Sequence, residues 1–142
     1  MKKHKIKNRE AFTLIELLVV IVIIALLASL VGPKLFNKLD NAKVKTAYAQ
    51  MQMLSTALDS FKLDIGRYPT TDEGLKILWK KESSLKDWNG PYLPKKVEED
   101  SWKNPYHYKN PGANNNPYDL YSYGSDGKEG GSGIATDISV WK

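Results

Sequence analysis

A single apolar stretch near the N-terminus constrains this chain most, because it is long enough to cross a membrane and yet contains one acid. No residue from Leu17 to Val31 is charged. A helix that includes the residues back to Phe12 would span about 30 Å, the thickness of a hydrocarbon core. Glu16 lies inside the stretch, where a mid-bilayer carboxylate would cost about 2.5–3.5 kcal/mol. The pattern indicates that Glu16 pairs with a positive group on another molecule. The alternative is that the carboxylate is simply tolerated because it lies near the membrane interface.

The residues before this stretch predict its orientation. Five Lys and Arg residues occupy positions 2, 3, 5, 7 and 9. Basic residues stay on the cytoplasmic side, so the remainder of the chain is predicted to face outward. An ordinary signal peptide is the alternative. It would be cleaved near Ala28, although Leu26-Leu27-Ala28 fits the small-residue rule poorly.

The segment Ala11-Phe12-Thr13-Leu14-Ile15-Glu16-Leu17 resembles the prepilin signature of type IV pilins and type II secretion pseudopilins. The resemblance implies that a dedicated prepilin peptidase cuts between Ala11 and Phe12, removes residues 1–11 and methylates the new amine. Ala11 stands where the family usually has Gly. The cationic amine of Phe12 would then pair with Glu16 of a neighbouring subunit. A mismatched register would leave a buried carboxylate unpaired, which is strongly unfavourable.

Removal of the leader changes how the charge of the chain is interpreted. Residues 1–11 hold five basic residues and one acid, so the net charge falls from +5 to +1 and 16 basic and 15 acidic residues remain. The basic balance therefore gives little support for nucleic-acid binding. The chain has no cysteine, which excludes disulfides, thiolate nucleophiles and cysteine zinc sites. His107 stands alone between two tyrosines, and no catalytic motif is present, so we predict that the chain is not an enzyme.

The spacing of apolar residues predicts that a helix continues beyond the membrane stretch. Apolar side chains recur mostly at three or four residues from Leu35 to Ile65, which is typical of an amphipathic helix. We therefore divide the helix into a membrane and filament-core segment, 12–32, and an amphipathic segment, 33–65. Gly32-Pro33 should kink or locally open it. Gly66 should end it.

Residues 66–142 are predicted to form a globular α+β head. Thr70 and Glu73 have the spacing of a capping box, which predicts a short helix through about Trp79. Aromatic-rich strands are predicted at 106–108 and 118–123, with a last strand at 138–141. Segments rich in Asn, Pro and Gly separate them as turns.

The head also resembles the major pseudopilin of type II secretion. The matching blocks follow in order over nearly the whole mature chain, at 68–75, 90–94, 100–108 and 121–127, and then at Asp137-Ile138. The resemblance implies a pilin-like fold: one long N-terminal helix packed on a small antiparallel sheet, with a short helix and a C-terminal metal loop. A major type IV pilin is disfavoured because its C-terminal disulfide loop is missing. The minor subunit thought to cap the tip typically lacks the Glu.

The glycine-rich segment 124–133 is the part of the chain with metal-site chemistry. Glycines let backbone carbonyls turn inward, and calcium prefers oxygen ligands. From the residues alone, an ordinary Asp-Gly turn is the alternative. The resemblance implies a Ca²⁺ site, whose ligands would be the side chains of Asp126 and Asp137, the backbone oxygens of Tyr123 and Lys128, and a further oxygen from Ser132. Thr136 stands where many relatives have a second acid, and Glu129 could replace it.

These observations predict a subunit of a periplasmic pseudopilus that drives protein export by type II secretion. It would cross the inner membrane once, with its head in the periplasm. Its implied partners are copies of itself, minor pseudopilins, the inner-membrane assembly platform and prepilin peptidase. The alternatives are a monomeric membrane-anchored calcium-dependent binding domain and a related type IV or competence pilin. Glu16 distinguishes the pseudopilus subunit from the first alternative, because a monomeric anchor gains nothing from a carboxylate there.

Overall fold

The computed structural model describes residues 10–142. Of the predicted leader, residues 1–9 therefore lie outside the described part of the chain. The chain divides into two compact units, one that ends at Lys38 and one that comprises Leu39–Lys142. A single α-helix contributes to both, and each unit is described by itself.

Helix α1 comprises Leu14–Ile65, 52 residues. Thr13 caps its start, because the Thr13 hydroxyl accepts the backbone N–H of Glu16 at 3.3 Å. Gly66 ends it in the left-handed region, with φ +88°, and its N–H donates to the carbonyl of Lys62 at 2.7 Å. The helix passes Pro33 without interruption, so the local opening expected there is not observed.

In the first unit, most side chains of α1 are apolar, and nearly all are exposed. Leu14 is 87% exposed and Leu18 is 58% exposed. An 18-residue window of the helix has a mean hydropathy of 3.2. Among residues 10–142, α1 is the one helix whose length and composition suffice to cross a membrane.

In the second unit, α1 buries one face in the core, as the three-to-four spacing of its apolar residues predicts. The buried residues on this face are Ala47, Met51, Leu54, Ala57, Leu58 and Phe61. They pack against apolar residues from the rest of the unit, which include Ile77, Leu78, Leu93, Tyr118, Leu120 and Ile138. Full burial of one large apolar side chain stabilises a fold by about 1.5–3 kcal/mol. The amphipathic half of α1 is therefore held by its own chain.

The capping box predicted after α1 is present. The Thr70 hydroxyl accepts the N–H of Glu73 at 3.2 Å, and the Thr70 N–H donates to the Glu73 carboxylate at 2.9 Å. Arg67 holds the same carboxylate with two hydrogen bonds of 2.8 and 2.9 Å. The helix that follows is shorter than predicted, a 3-10 helix over Leu75–Leu78, because Gly74 adopts φ +61° and interrupts regular helix formation.

Three short strands form an antiparallel sheet in the order β1-β2-β3. They are β1, His107–Lys109, β2, Asp119–Ser122, and β3, Ile138–Ser139. Their positions confirm the three predicted strands, although each strand is shorter than expected or shifted by one residue. Leu120 and Ser122 of β2 face the core and are buried, while Asp119 and Tyr121 are half-buried.

Tyr118, just before β2, joins three parts of the second unit. Its hydroxyl forms a 2.8 Å hydrogen bond with Ser55 of α1. Its carbonyl accepts the indole N–H of Trp141 at 2.6 Å, and the two rings lie 5.1 Å apart. The segment after β3 is thus attached to the same tyrosine that contacts α1.

Candidate functional site

The predicted processing site lies at the start of the described chain. Ala11 and Phe12 precede α1, have no helical conformation and are exposed. The bond between them is therefore accessible to a peptidase. The cleavage and methylation of this segment stay predictions.

Glu16 is in the first turn of α1 and is exposed. Phe12, Ile15, Val19 and Val20 line the same shallow surface depression, and all four are apolar. Within residues 10–142, neither ion pair involves Glu16. Its carboxylate is thus a charge on an apolar surface without a cationic partner in this part of the chain.

Thr13 is a residue that sequence reasoning missed. It caps α1 by accepting the N–H of Glu16, and a Thr three residues before a Glu is the sequence pattern of a capping box. The cap starts the helix immediately after Phe12. It therefore places Glu16 one turn from the amine that cleavage would create.

The first half of the C-terminal loop is a tight turn around Asp126. Gly124–Asp126 form one turn of 3-10 helix, and Gly127 ends it in the left-handed region with φ +65°. The Asp126 carboxylate accepts the N–H of Lys128 at 3.0 Å. This bond orients one predicted metal ligand, Asp126, against the backbone of another, Lys128.

The second half of the loop ends at Asp137. One carboxylate oxygen of Asp137 accepts the N–H of Gly130 at 3.0 Å. The other oxygen, Oδ1, is buried and has no hydrogen-bond partner. A buried acceptor without a partner costs about 1–3 kcal/mol, and a cation would satisfy it. The carbonyl of Ser132 already accepts the N–H of Ala135 at 3.0 Å, so the Ser132 hydroxyl is its better candidate ligand.

The two halves of the loop meet at Gly124. A Cβ on Gly124 would lie 2.7 Å from the carbonyl oxygen of Ile134 and 2.8 Å from that of Thr136, so only glycine fits. Tyr123, Glu129 and Asp137 line one surface depression, whose lining does not include Asp126.

Across residues 10–142, no three His, Asp or Glu side chains converge. A metal here would need backbone oxygens beside the two Asp carboxylates. Calcium accepts such a set, because it takes six to eight oxygens that include backbone carbonyls and waters. The buried, unpartnered oxygen of Asp137 makes this loop compatible with that ion.

Asp100 is a further residue that sequence reasoning missed. It is only 5% exposed, and it lies in a turn whose hydrogen bonds reach the C-terminal loop through Ser122. The pattern Asp-Ser-Trp-Lys-Asn-Pro at 100–105 was the available signal, because Asp and Asn side chains hydrogen-bond nearby backbone in turns.

The ring of His107 packs against two tyrosine rings. Its ring stacks on Tyr121 with centroids 5.1 Å apart and lies 4.4 Å from the ring of Tyr123. Hydrogen bonding of the Tyr121 hydroxyl to Tyr123, together with burial, raises the pKa of Tyr121 to about 12. Both observations describe an aromatic cluster beside the C-terminal loop.

Comparison with known proteins identifies the family. The family model for type II secretion system (T2SS) protein G matches residues 34–141. The chain belongs to the type II secretion system protein G family. A second family model, the prokaryotic N-terminal methylation motif, matches residues 6–32.

Several characterised members of the protein G family are similar over almost their whole length. The chain is 45% identical over 138 residues to the type II secretion system core protein G of Pseudomonas aeruginosa, with 95% of this chain and 96% of the relative covered. It is 39% identical over 140 residues to the core protein G of Vibrio cholerae, with 96% and 94% covered.

A solved structure of a protein G relative supports the fold. The crystal structure of the major pseudopilin from the type 2 secretion system of enterohaemorrhagic Escherichia coli matches with a TM-score of 0.62 and 29% sequence identity, covering 77% of this chain and 95% of that chain. The predicted resemblance and the pilin-like fold are thereby confirmed. The metal loop and the individual site residues stay predictions.

Proposed function

We propose that this pseudopilin is a structural, non-enzymatic subunit of a periplasmic pseudopilus. It is anchored in the inner membrane by the first part of α1, with Leu39–Lys142 in the periplasm. The observation that carries this proposal is the exposed apolar surface of α1 around Glu16. Such a surface needs either lipid or other copies of the same helix to cover it.

The proposed assembly pairs the amine of Phe12 in one subunit with Glu16 in the next. Before assembly, Glu16 near the membrane interface can remain hydrated. Inside a bundle of apolar helices it would be buried, and breaking a buried ion pair costs about 3–5 kcal/mol. Only the register that brings the amine to the carboxylate avoids this cost, so the pair selects one axial offset between subunits.

The remaining partners follow from this role. Prepilin peptidase would process the chain, the inner-membrane assembly platform would add it to the base of the filament, and minor pseudopilins would share the filament with it. Growth of the filament would push secreted proteins outward. The nearly neutral mature chain gives little reason to expect nucleic acid as a partner.

Processing is tested by mass spectrometry of the membrane-extracted protein. We expect a mature chain that begins at methylated Phe12, because the Ala11–Phe12 bond is exposed and precedes the helix. A mature chain that begins near Ser29 would instead establish an ordinary secretory signal and contradict the filament proposal.

Assembly is tested by Glu16→Ala. We expect the variant to enter the membrane at least as well as the parent, because a costly charge is removed. It should form few or no filaments in electron micrographs of the overproduced protein, because the pairing that selects the register is lost. Glu82→Ala, a change at an exposed acid of the second unit, is the matched control and should assemble normally. Normal filament yield from Glu16→Ala would contradict the proposed pairing of Glu16 with the Phe12 amine.

We also propose that the C-terminal loop binds Ca²⁺. The ligands would be the carboxylates of Asp126 and Asp137, the backbone oxygens of Tyr123 and Lys128, and an oxygen of Ser132. The observation that favours this is the buried Oδ1 of Asp137, which has no hydrogen-bond partner. The ion would hold the two ends of the loop together.

A further inference from the structure

The turn over residues 100–104 contains a buried carboxylate that accepts three hydrogen bonds. The Asp100 carboxylate accepts the Ser122 hydroxyl at 2.5 Å and the backbone N–H groups of Trp102 and Asn104 at 2.9 and 3.0 Å. Within residues 10–142, neither ion pair involves Asp100. Its charge is therefore stabilised by hydrogen bonds alone, and such charge-assisted bonds are stronger than neutral ones.

Two side chains of this hydrogen-bond network also bond the backbone of Gly124, the residue where the two halves of the C-terminal loop meet. The Ser122 oxygen accepts the N–H of Gly124 at 3.1 Å, and the Asn104 amide donates to the Gly124 carbonyl at 3.0 Å. A serine hydroxyl has one proton. Because that proton goes to Asp100, the Ser122 oxygen presents its lone pairs to Gly124.

The hydrogen bonds of Gly124 control the shape of the proposed calcium loop. Gly124 opens the turn that carries Asp126, and its backbone lies against the carbonyls of Ile134 and Thr136. Asn104 also supports the end of this turn, since a Cβ on Gly127 would lie 3.1 Å from the Asn104 amide group. A shift of Gly124 would therefore move both halves of the loop.

The same turn is also attached to α1. The Ser101 hydroxyl donates to the carbonyl of Lys43 at 2.7 Å, and the Tyr106 hydroxyl lies 2.6 Å from the side-chain oxygen of Gln50. The turn that contacts the loop is thus itself hydrogen-bonded to α1. The other half of the loop has the bond from Gly130 to Asp137 and its own turn over Gly133–Ala135.

We propose that Asp100, acting through Ser122 and Asn104, is a positioning residue that sets the calcium affinity of the C-terminal loop. This inference rests on the calcium site proposed above. The network holds Gly124 in place before any metal arrives, so binding need not order the first half of the loop. Groups that orient metal ligands in this way typically change affinity by about 10–100-fold when they are removed.

The test compares calcium binding by two variants and two matched controls, all as full-length chains in detergent. Asn104→Ala and Ser122→Ala each remove one contact to Gly124. Asn110→Ala removes an amide that donates to the carbonyl of Pro69 at 2.8 Å. Ser55→Ala removes the hydroxyl bonded to Tyr118. Each control deletes a hydrogen bond of the same chemical kind away from the loop.

Calcium would be titrated into protein that carries bound terbium. The signal is the terbium luminescence, which nearby tyrosines sensitise and which falls as calcium displaces terbium. The temperature is one at which circular dichroism shows that every variant is folded. We expect the dissociation constant to rise about 10–100-fold for Asn104→Ala and Ser122→Ala and to stay unchanged for the controls. A merely structural role would lower the unfolding temperature of all four variants and leave the folded-state affinity alone. If Ser122→Ala does not fold, Asn104→Ala tests the positioning role by itself, because Asn104 is only half-buried.

The possible failures are distinguishable. If the parent binds no calcium at millimolar concentrations, the calcium site and this inference fall together. If the parent binds and both test variants bind equally well, only the positioning role of Asp100 is overturned. Equal weakening in the controls would also overturn it, because the effect would then reflect general loosening of the unit.

Discussion

The two ends of helix α1 contain similar apolar residues in opposite environments. Leu18 is 58% exposed, whereas Leu58 is fully buried. Both are leucines inside one uninterrupted helix. The second unit supplies its own partner for the apolar face of α1, and the described residues of the first unit, 10–38, supply none. The comparison shows that residues of α1 are helical whether or not they are buried, and that the described residues provide no burial for its first part.

The acids of α1 differ in the same way. Asp59 accepts the hydroxyl of Tyr68 at 2.8 Å, and Asp64 accepts that of Tyr92 at 2.8 Å. Glu16 lies in one depression whose other lining residues are all apolar, and it also lines a second that includes Glu10 but no basic residue. Asp59 and Asp64, near the C-terminal end of the helix, thus have partners within the chain, whereas Glu16 has no cationic partner within residues 10–142 and is proposed to pair with another subunit.

The largest predicted effect comes from making the same change at both ends. Leu58→Ala should lower the free energy of unfolding of the second unit by about 2–5 kcal/mol, because it leaves a cavity in a packed core. Leu18→Ala should change that free energy by no more than about 0.5 kcal/mol and should instead reduce filament yield. Thermal unfolding of the full chain in detergent measures the first effect, and electron microscopy measures the second. Equal destabilisation by both variants would contradict the comparison.

A smaller effect is predicted for calcium. Its binding should stabilise the second unit by about 2.7 kcal/mol when free metal exceeds the dissociation constant a hundredfold. We expect Asp126→Ala to abolish the resulting rise in unfolding temperature, and Asp137→Ala to reduce it strongly. Asp72→Ala, at an exposed acid of the same unit, should keep the full rise. An unfolding temperature that is the same in calcium and in chelator would reduce the loop to a glycine-rich turn.

The smallest predicted effect concerns the ion pair after α1. The Arg67 guanidinium beside Glu73 holds the pKa of that carboxyl below its usual range. A lowered pKa in the folded state stabilises the fold above the unfolded value, about 4.3 for Glu, and this contribution is lost as the pH falls through the folded value. Because the pair is partly exposed, the contribution should be below about 1 kcal/mol.

Glu73→Gln tests this pH dependence while retaining an oxygen for the capping box. The unfolding temperature of the parent should fall more steeply than that of Glu73→Gln as the pH drops below about 5. Glu82→Gln should behave like the parent. Parallel pH profiles for Glu73→Gln and the parent would show that the ion pair makes no net contribution.

Local patterns explain why much of the fold could be predicted from the sequence. The periodic apolar residues of α1, its end at Gly66 and the aromatic strands around His107 and Leu120 are all signals within a few residues. The capping box at Thr70 is likewise local, and it is present. The 3-10 form of the helix after it depends on the backbone of Gly74, whose φ of +61° no periodicity specifies.

The support of the C-terminal loop could not be predicted because it joins distant segments. Asp100 and Ser122 are 22 residues apart, and Asn104 and Gly124 are 20 apart. A sequence shows that each side chain is polar but not which of them meet in the interior. The resemblance implies the ligand set of the loop, which stays a prediction, and the structure shows that one oxygen of Asp137 is buried without a hydrogen-bond partner.

The attachment of Trp141 to Tyr118 has a consequence for the order in which the chain matures. Chains are made from the N-terminus onward, so α1 and all three strands are synthesised before the indole that bonds Tyr118, 23 residues earlier. The contact between Trp141 and Tyr118 therefore forms only after the three strands have been synthesised. Of the two hydrogen bonds of Tyr118, the one with Ser55 of α1 can form earlier during synthesis, and the one from Trp141 comes last.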